Sequence, residues 1–211
     1  MMDRLFPVCV PLLACIATLP AAEVMQITAD NWQEVAPSGK EADWIYGDFV
    51  LRNDRIVAVV ANPIAERNAN MTVRDVSGAL IDLTFRDRPA DQLSCFYPGA
   101  ASYPLRSATP TVENGTAVLR CGSEERADMP SLEVEHRLGG RDAMVMVVSR
   151  FRNPHSQASE FELQDAVRAD RGFTHEIDEE LNMFSFQDLW WRQAYGILAI
   201  DHDLGASGRF I

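Results

Sequence analysis

The stretch from Ser131 to Asp170 constrains the fold more than any other part of the chain. From Ser131 to Leu138, apolar and charged residues alternate with a period of two, as in a strand with one face on a core and the other in water. Gly139-Gly140 follows and favours a tight hairpin turn, because glycine reaches positive φ at little cost. The stretch therefore predicts antiparallel strands joined by turns.

The second strand of this stretch, Ala143 to Phe151, has a different pattern. Its residues Ala143 to Val148 are apolar on both faces, which predicts a central strand covered on both sides. Asn153-Pro154 ends it, because proline cannot donate to a strand ladder. A third alternating strand leads to Asp170, and the three are predicted to be consecutive antiparallel strands.

Strand and turn signals continue through the rest of the chain. Asn53-Asp54 and Asn114-Gly115 each stand between two apolar segments, which predicts short hairpins. The 211 residues are 47% hydrophobic, enough for a sizeable core. The spacing of strands and turns predicts an all-β fold, an antiparallel β-sandwich.

The N-terminus has the features of a signal peptide, assigned to residues 1–22. A short charged start precedes an apolar run from Leu5 to Leu19, which is too short to span a bilayer well, and Ala21-Ala22 supplies small residues for cleavage. We expect an exported protein, in the periplasm, at the cell surface or outside the cell. In the alternative, Leu12 to Cys15 resembles a bacterial lipoprotein box, and Cys15 would carry the lipid.

The remaining chain is divided into a lead-in segment, residues 23–41, and a β-sandwich domain, residues 42–211. No later segment is long and apolar enough to cross a membrane. The net charge of −12 argues against a nucleic-acid partner, which requires a basic surface. Cys95 and Cys121 form a candidate disulfide if the compartment is oxidising; two separate buried thiols are the alternative.

Three segments carry a family resemblance: LRNDRIVAVVA (Leu51 to Ala61), GALIDLT (Gly78 to Thr84) and LEVEHRLGGRDAMVMVVSRFRN (Leu132 to Asn153). Their order resembles the galactose-mutarotase-like β super-sandwich found as a module of large exported bacterial proteins. The resemblance covers roughly Ala42 to Asp201. Because full super-sandwiches are usually longer, it implies a module truncated at its C-terminus. That family includes aldose epimerases, lyase and hydrolase domains, and non-catalytic accessory modules.

Aromatic residues near the C-terminus are the best candidates for binding a ligand. Sugars present C–H faces that stack on indole rings, and a neighbouring guanidinium can bind the hydroxyls. The predicted contact surface consists of Trp190, Trp191, Arg192 and Tyr195. Trp44 and Tyr46, two positions apart, form a second aromatic pair on one face. In the alternative, the aromatic side chains of both sets are part of the core.

No catalytic, metal or cofactor site is predicted. The epimerases of the resembled family use a histidine acid and a glutamate base, and no such pair is present here as a motif. The main hypothesis is a non-catalytic module that binds a carbohydrate or another extracellular polymer, or serves as a structural accessory domain. The alternative is a carbohydrate-active enzyme, epimerase-like or lyase-like, that uses His136 or His175 with a carboxylate such as Glu135 or Glu176.

Overall fold

Antiparallel strands dominate the structure, a computed structural model that describes residues 21–39, 42–89, 93–126, 129–154, 156, 158, 160–161, 163–169, 172–190 and 192–200. The strands form three antiparallel sheets, and the predicted all-β sandwich fold is confirmed. Within these residues one short helix, α1, spans Trp32–Val35, and a 3-10 segment spans Pro98–Ala101.

The largest sheet has six strands in the order β1-β2-β3-β4-β5-β10. Its strands are β1 (Glu23–Gln26), β2 (Phe49–Arg52), β3 (Ile56–Val60), β4 (Leu80–Phe85), β5 (Leu93–Tyr97) and β10 (Ala166–Ala169). The segment predicted as a lead-in thus supplies β1, which pairs with β2. All five residues of β3 are buried, so β3 is covered on both faces.

The other two sheets are meanders, in which each strand pairs with the next. The four-stranded sheet contains β6 (Leu105–Glu113), β7 (Thr116–Ser123), β8 (Ser131–Leu138) and β9 (Met146–Arg152). The three-stranded sheet contains β11 (Thr174–Asp178), β12 (Met183–Asp188) and β13 (Gln193–Leu198).

Two apolar clusters cover the two faces of the six-stranded sheet. The first joins all three sheets and includes Leu51 of β2, Leu119 of β7 and Phe186 of β12. The second lies on the opposite face and includes Val50 of β2 and Val35 of α1. Alternate residues of β2 therefore enter different clusters, as the period of two in a strand requires.

The predicted position of Ala143 to Val148 at the centre of a sheet is wrong. Strand β9 begins at Met146 and is an edge strand of the four-stranded sheet. Met144 and Met146 are 62% and 46% exposed. The apolar residues on the outer face of β9 lie beside the long side chains of charged neighbours on β8, so the strand needs no second layer of protein.

The third strand predicted for this stretch is β10, and it does not pair with β9. It crosses to the six-stranded sheet and pairs with β5. The Asn114-Gly115 hairpin is confirmed, with φ of 51° and 81° at the two turn residues. Asn53-Asp54 lies in the turn between β2 and β3, as predicted. Within the described residues no helix has the length and apolar character needed to cross a membrane.

Candidate functional site

Three aromatic rings lie in a row beside α1. The ring of Trp44 is 5.8 Å from that of Trp32 and 6.2 Å from that of Tyr46, centroid to centroid. Trp32 is 36% exposed and Tyr46 is 56% exposed, whereas Trp44 is half-buried against the second apolar cluster. We call these three residues the aromatic row. The predicted pairing of Trp44 with Tyr46 is confirmed, and the structure adds Trp32 to it.

Local hydrogen bonds hold the aromatic row in place. The Asn31 side chain, immediately before α1, fixes the turn that leads into the helix. It accepts from the Thr28 amide at 2.7 Å and donates to the Gln26 carbonyl at 3.0 Å. The indole N–H of Trp44 donates to the Pro37 carbonyl at 2.9 Å. Since its one polar atom is bonded, Trp44 can present the rest of its ring to its neighbours.

The segment that carries Trp44 and Tyr46 is anchored by a buried ion pair. Asp48 and Arg67 have side chains that are 0% and 2% exposed, with Nη2 of Arg67 at 2.5 Å from Oδ2 of Asp48. Asp48 also accepts from the Ile45 amide at 2.9 Å and from the Asn62 amide at 2.8 Å. With Nε of Arg67 donating to Oδ1 at 3.2 Å, each oxygen of the buried carboxylate has two donors, as a buried charge requires.

The contact surface predicted near the C-terminus is only partly assembled. Trp190 is 85% exposed in the turn between β12 and β13, where its amide donates to Oδ1 of Asp188 at 2.8 Å. Arg192 is exposed in the same turn. Tyr195 instead packs inward, with its ring stacked on Phe186 at 5.2 Å, so it does not share a surface with Trp190.

Trp191, the fourth residue of that predicted surface, lies outside the described residues. Of the predicted surface, the exposed indole of Trp190 and the exposed side chain of Arg192 remain. Among the described residues of this turn, no second aromatic ring accompanies them. The aromatic row offers three neighbouring rings and is the better stacking surface.

The two histidines proposed for the alternative enzyme lie in very different environments. His136 is fully buried in β8, with Nε2 at 3.0 Å from the Gly78 carbonyl oxygen, and burial lowers its pKa to about 4. His175 is exposed on β11. Glu135 directly precedes His136 in β8, and Glu176 directly follows His175 in β11. Because adjacent residues of a strand point to opposite faces, each carboxylate projects away from its histidine.

Glu135 is instead the centre of a charged network on the outer face of the four-stranded sheet. Its carboxylate is bonded to Arg120 at 2.8 Å, to Arg137 at 2.9 Å and to Arg150 at 3.0 Å. Hydrogen bonds from these arginines, above all Arg150, lower the pKa of Glu135 to about 2, against the opposing effect of burial. A carboxylate held in this way is a poor general base.

A shallow cleft of about 110 Å³ lies elsewhere, beside the 3-10 segment. Glu66, Asp75 and Tyr97 line it, and no histidine is among its lining residues. It therefore does not bring together the histidine and carboxylate that the alternative enzyme needs.

The candidate disulfide between Cys95 and Cys121 is not formed. Both cysteines are free and buried, Cys95 in the second apolar cluster and Cys121 in the first. The six-stranded sheet separates these clusters, so the two side chains do not approach each other. Burial raises the pKa of both thiols, to about 12 for Cys121.

Comparison with known proteins gives no assignment: no protein-family profile, curated protein or solved structure matches the chain.

Proposed function

We propose that this protein is an exported, non-catalytic β-sandwich module that binds a carbohydrate polymer through the aromatic row. One observation carries the proposal: the Trp44 ring lies 5.8 Å from the Trp32 ring and 6.2 Å from the Tyr46 ring, and these two neighbours are exposed. The C–H face of a sugar ring stacks on such a surface, and a strip of rings offers several sugars a stacking position.

The charge of the chain favours this ligand over other polymers that stack on aromatic rings. Single-stranded nucleic acids also stack on exposed rings, but they require a positively charged groove. This chain carries a net charge of −12. A carbohydrate needs no such groove, so it fits both the rings and the charge.

Two further parts of the proposal, export and an accessory role, are supported by the sequence. The apolar run from Leu5 to Leu19, followed by Ala21-Ala22, supports a cleaved leader, and the strand patterns that resemble a galactose-mutarotase-like module support an accessory role in carbohydrate recognition. We include the turn at Trp190 as a second, weaker contact, because Trp190 and Arg192 are both exposed there.

The experiment compares binding to a panel of soluble polysaccharides by affinity electrophoresis and calorimetry. Trp32→Ala and Tyr46→Ala remove exposed rings of the row, and each is expected to weaken binding about tenfold, as the loss of one stacking contact implies. Trp44→Ala is avoided because Trp44 packs on the core. Trp190→Ala measures the second contact and is expected to have a smaller effect.

Phe85→Ala is the matched control, because Phe85 is 41% exposed on β4 and lies outside the row. It should bind as the unmodified protein does. Binding that is equal in all folded variants would place the ligand elsewhere and refute the role of the row. No binding to any polysaccharide would leave the structural accessory role as the better hypothesis.

A further inference from the structure

We infer that the ligand of the aromatic row is an uncharged polysaccharide chain with a twisted conformation, and not an anionic or flat one. This inference rests on the proposed function and specifies the ligand of the same site. It follows from the charges beside the row, from the angles between its rings and from the hydrogen bonds of its polar neighbours.

The arginines that contact this part of the molecule are already neutralised. Arg52 donates from Nε to Glu23 at 2.9 Å and from Nη2 to Glu34 at 3.1 Å, and its side chain is 13% exposed. Arg67 is bonded to Asp48 and to the Asp43 carbonyl and is nearly inaccessible. Neither guanidinium is available to a uronate or a sulfated sugar, which would need such a partner.

The carboxylates of the segments that carry the row are also used within the protein. Glu34, two residues after Trp32, is paired with Arg52 at 3.1 Å, and Asp43, which immediately precedes Trp44, accepts from the Asn70 side chain at 2.7 Å. These pairs add no positive charge that an anionic sugar could bind. An uncharged chain needs no such partner.

The three rings are not coplanar. The planes of Trp32 and Trp44 are tilted by 36°, and those of Trp44 and Tyr46 by 40°. A flat chain or a crystalline polymer surface contacts coplanar rings best. A chain whose sugar rings rotate along its length can stack on each ring of the row, so the tilt favours a twisted, soluble chain.

Two asparagine side-chain amides in the segments that flank the row are used within the protein. Asn31 is bonded at both ends, and Asn70 accepts from the Thr72 and Val73 amides while it donates to Asp43 at 2.7 Å. These two amides are therefore not available to bind individual hydroxyl groups. Selection by the row should depend on the shape and charge of the chain more than on hydroxyl stereochemistry.

The experiment measures binding of the full-length mature chain to a soluble mixed-linkage glucan, to polygalacturonate and to crystalline cellulose, with glucan oligosaccharides of increasing length as small ligands. We expect binding to the soluble glucan, at least about tenfold weaker binding to polygalacturonate, and little salt dependence for the glucan. Affinity should rise with oligosaccharide length until the rings of the row are occupied.

A variant that gains binding tests the role of charge, because a misfolded protein would not bind polygalacturonate more tightly. Gln33 is exposed on α1 next to Trp32, so Gln33→Arg places a cation beside the row. It should strengthen binding to polygalacturonate and leave glucan binding unchanged; Gln33→Ala is the control. Equal or tighter binding of polygalacturonate by the unmodified protein, or binding to crystalline cellulose alone, would overturn the inference while leaving the proposed function intact. Failure to bind any of the three polymers or any member of the wider polysaccharide panel would refute both.

Discussion

Glu135 and His136 are neighbours on β8, yet one is ionised within an arginine network and the other is neutral within the apolar core. Arg150, Arg137 and Arg120 lower the pKa of Glu135 to about 2, whereas burial lowers the pKa of His136 to about 4. Both shifts favour the deprotonated form in the folded state. The two residues therefore make the fold sensitive to acid in two adjoining ranges of pH.

His136 should destabilise the protein as the pH falls below the ordinary pKa of histidine, 6.5. Between pH 6.5 and about 4, the unfolded chain takes up a proton at His136 that the folded chain excludes. The free energy of unfolding should therefore decrease over this range, by roughly 3 kcal/mol at its lower end. His136→Gln can still donate to the Gly78 carbonyl but does not titrate, so its urea-unfolding stability should depend less on pH. An unchanged dependence on pH in the folded His136→Gln variant would contradict the assignment.

The carboxylate of Glu135 should contribute stability above its ordinary pKa of 4.5, and this contribution should be lost as the pH falls through about 2. Glu135→Gln should lower the free energy of unfolding near neutral pH by about 2 kcal/mol, because it removes the charged acceptor of three arginines. Glu133→Gln is the control: its side chain is 52% exposed and pairs with Arg150 at 3.3 Å, so its loss should be below about 1 kcal/mol. Equal losses in urea denaturation would show that burial of Glu135 is unimportant.

The alternation of residues on β8 was enough to predict the strand and its buried face, and Asn114-Gly115 was enough to predict a hairpin. Both signals are local, because a period of two and a turn with positive φ each depend on only a few residues. The position of a strand within its sheet is not local. Val148 lies opposite Glu135, so the charged network beside it covers an apolar residue that the sequence assigned to a central strand.

The aromatic row illustrates the same limit at the candidate site. Trp44 and Tyr46 could be paired from their spacing, but Trp32 begins a helix of only four residues, which is too short to show a helical period. Its contact with Trp44 depends on how α1 packs on the six-stranded sheet. Tyr195 shows the opposite error. Its position near two tryptophans in the sequence predicted an exposed contact residue, but its ring packs on Phe186.

Gly78 should be the glycine that is least tolerant of substitution. Its φ is +72°, and a Cβ atom would lie 2.4 Å from Cδ1 of Leu105. Gly78→Ala should therefore lower stability by about 3 kcal/mol, from left-handed strain and overpacking together. Gly115→Ala has a similar φ of +81° but open space around it, so it should cost only about 1 kcal/mol. Urea denaturation of the two variants separates strain from overpacking, and a similar loss in both would refute the close contact with Leu105.

The buried pair of Asp48 and Arg67 should be essential for both the fold and the aromatic row. Arg67→Met leaves the Asp48 carboxylate buried without its counter-ion, so the free energy of unfolding should fall by about 3–5 kcal/mol. Arg88→Met is the control, because the Arg88 side chain is 80% exposed and lies 3.8 Å from Asp87; it should change stability by less than about 0.5 kcal/mol. Since Asp48 also holds the Ile45 amide, between Trp44 and Tyr46, Arg67→Met should quench or shift tryptophan fluorescence at denaturant concentrations below global unfolding. A fluorescence change that coincides with global unfolding would show that loss of the ion pair does not loosen the Trp44 to Tyr46 segment separately from the rest of the fold.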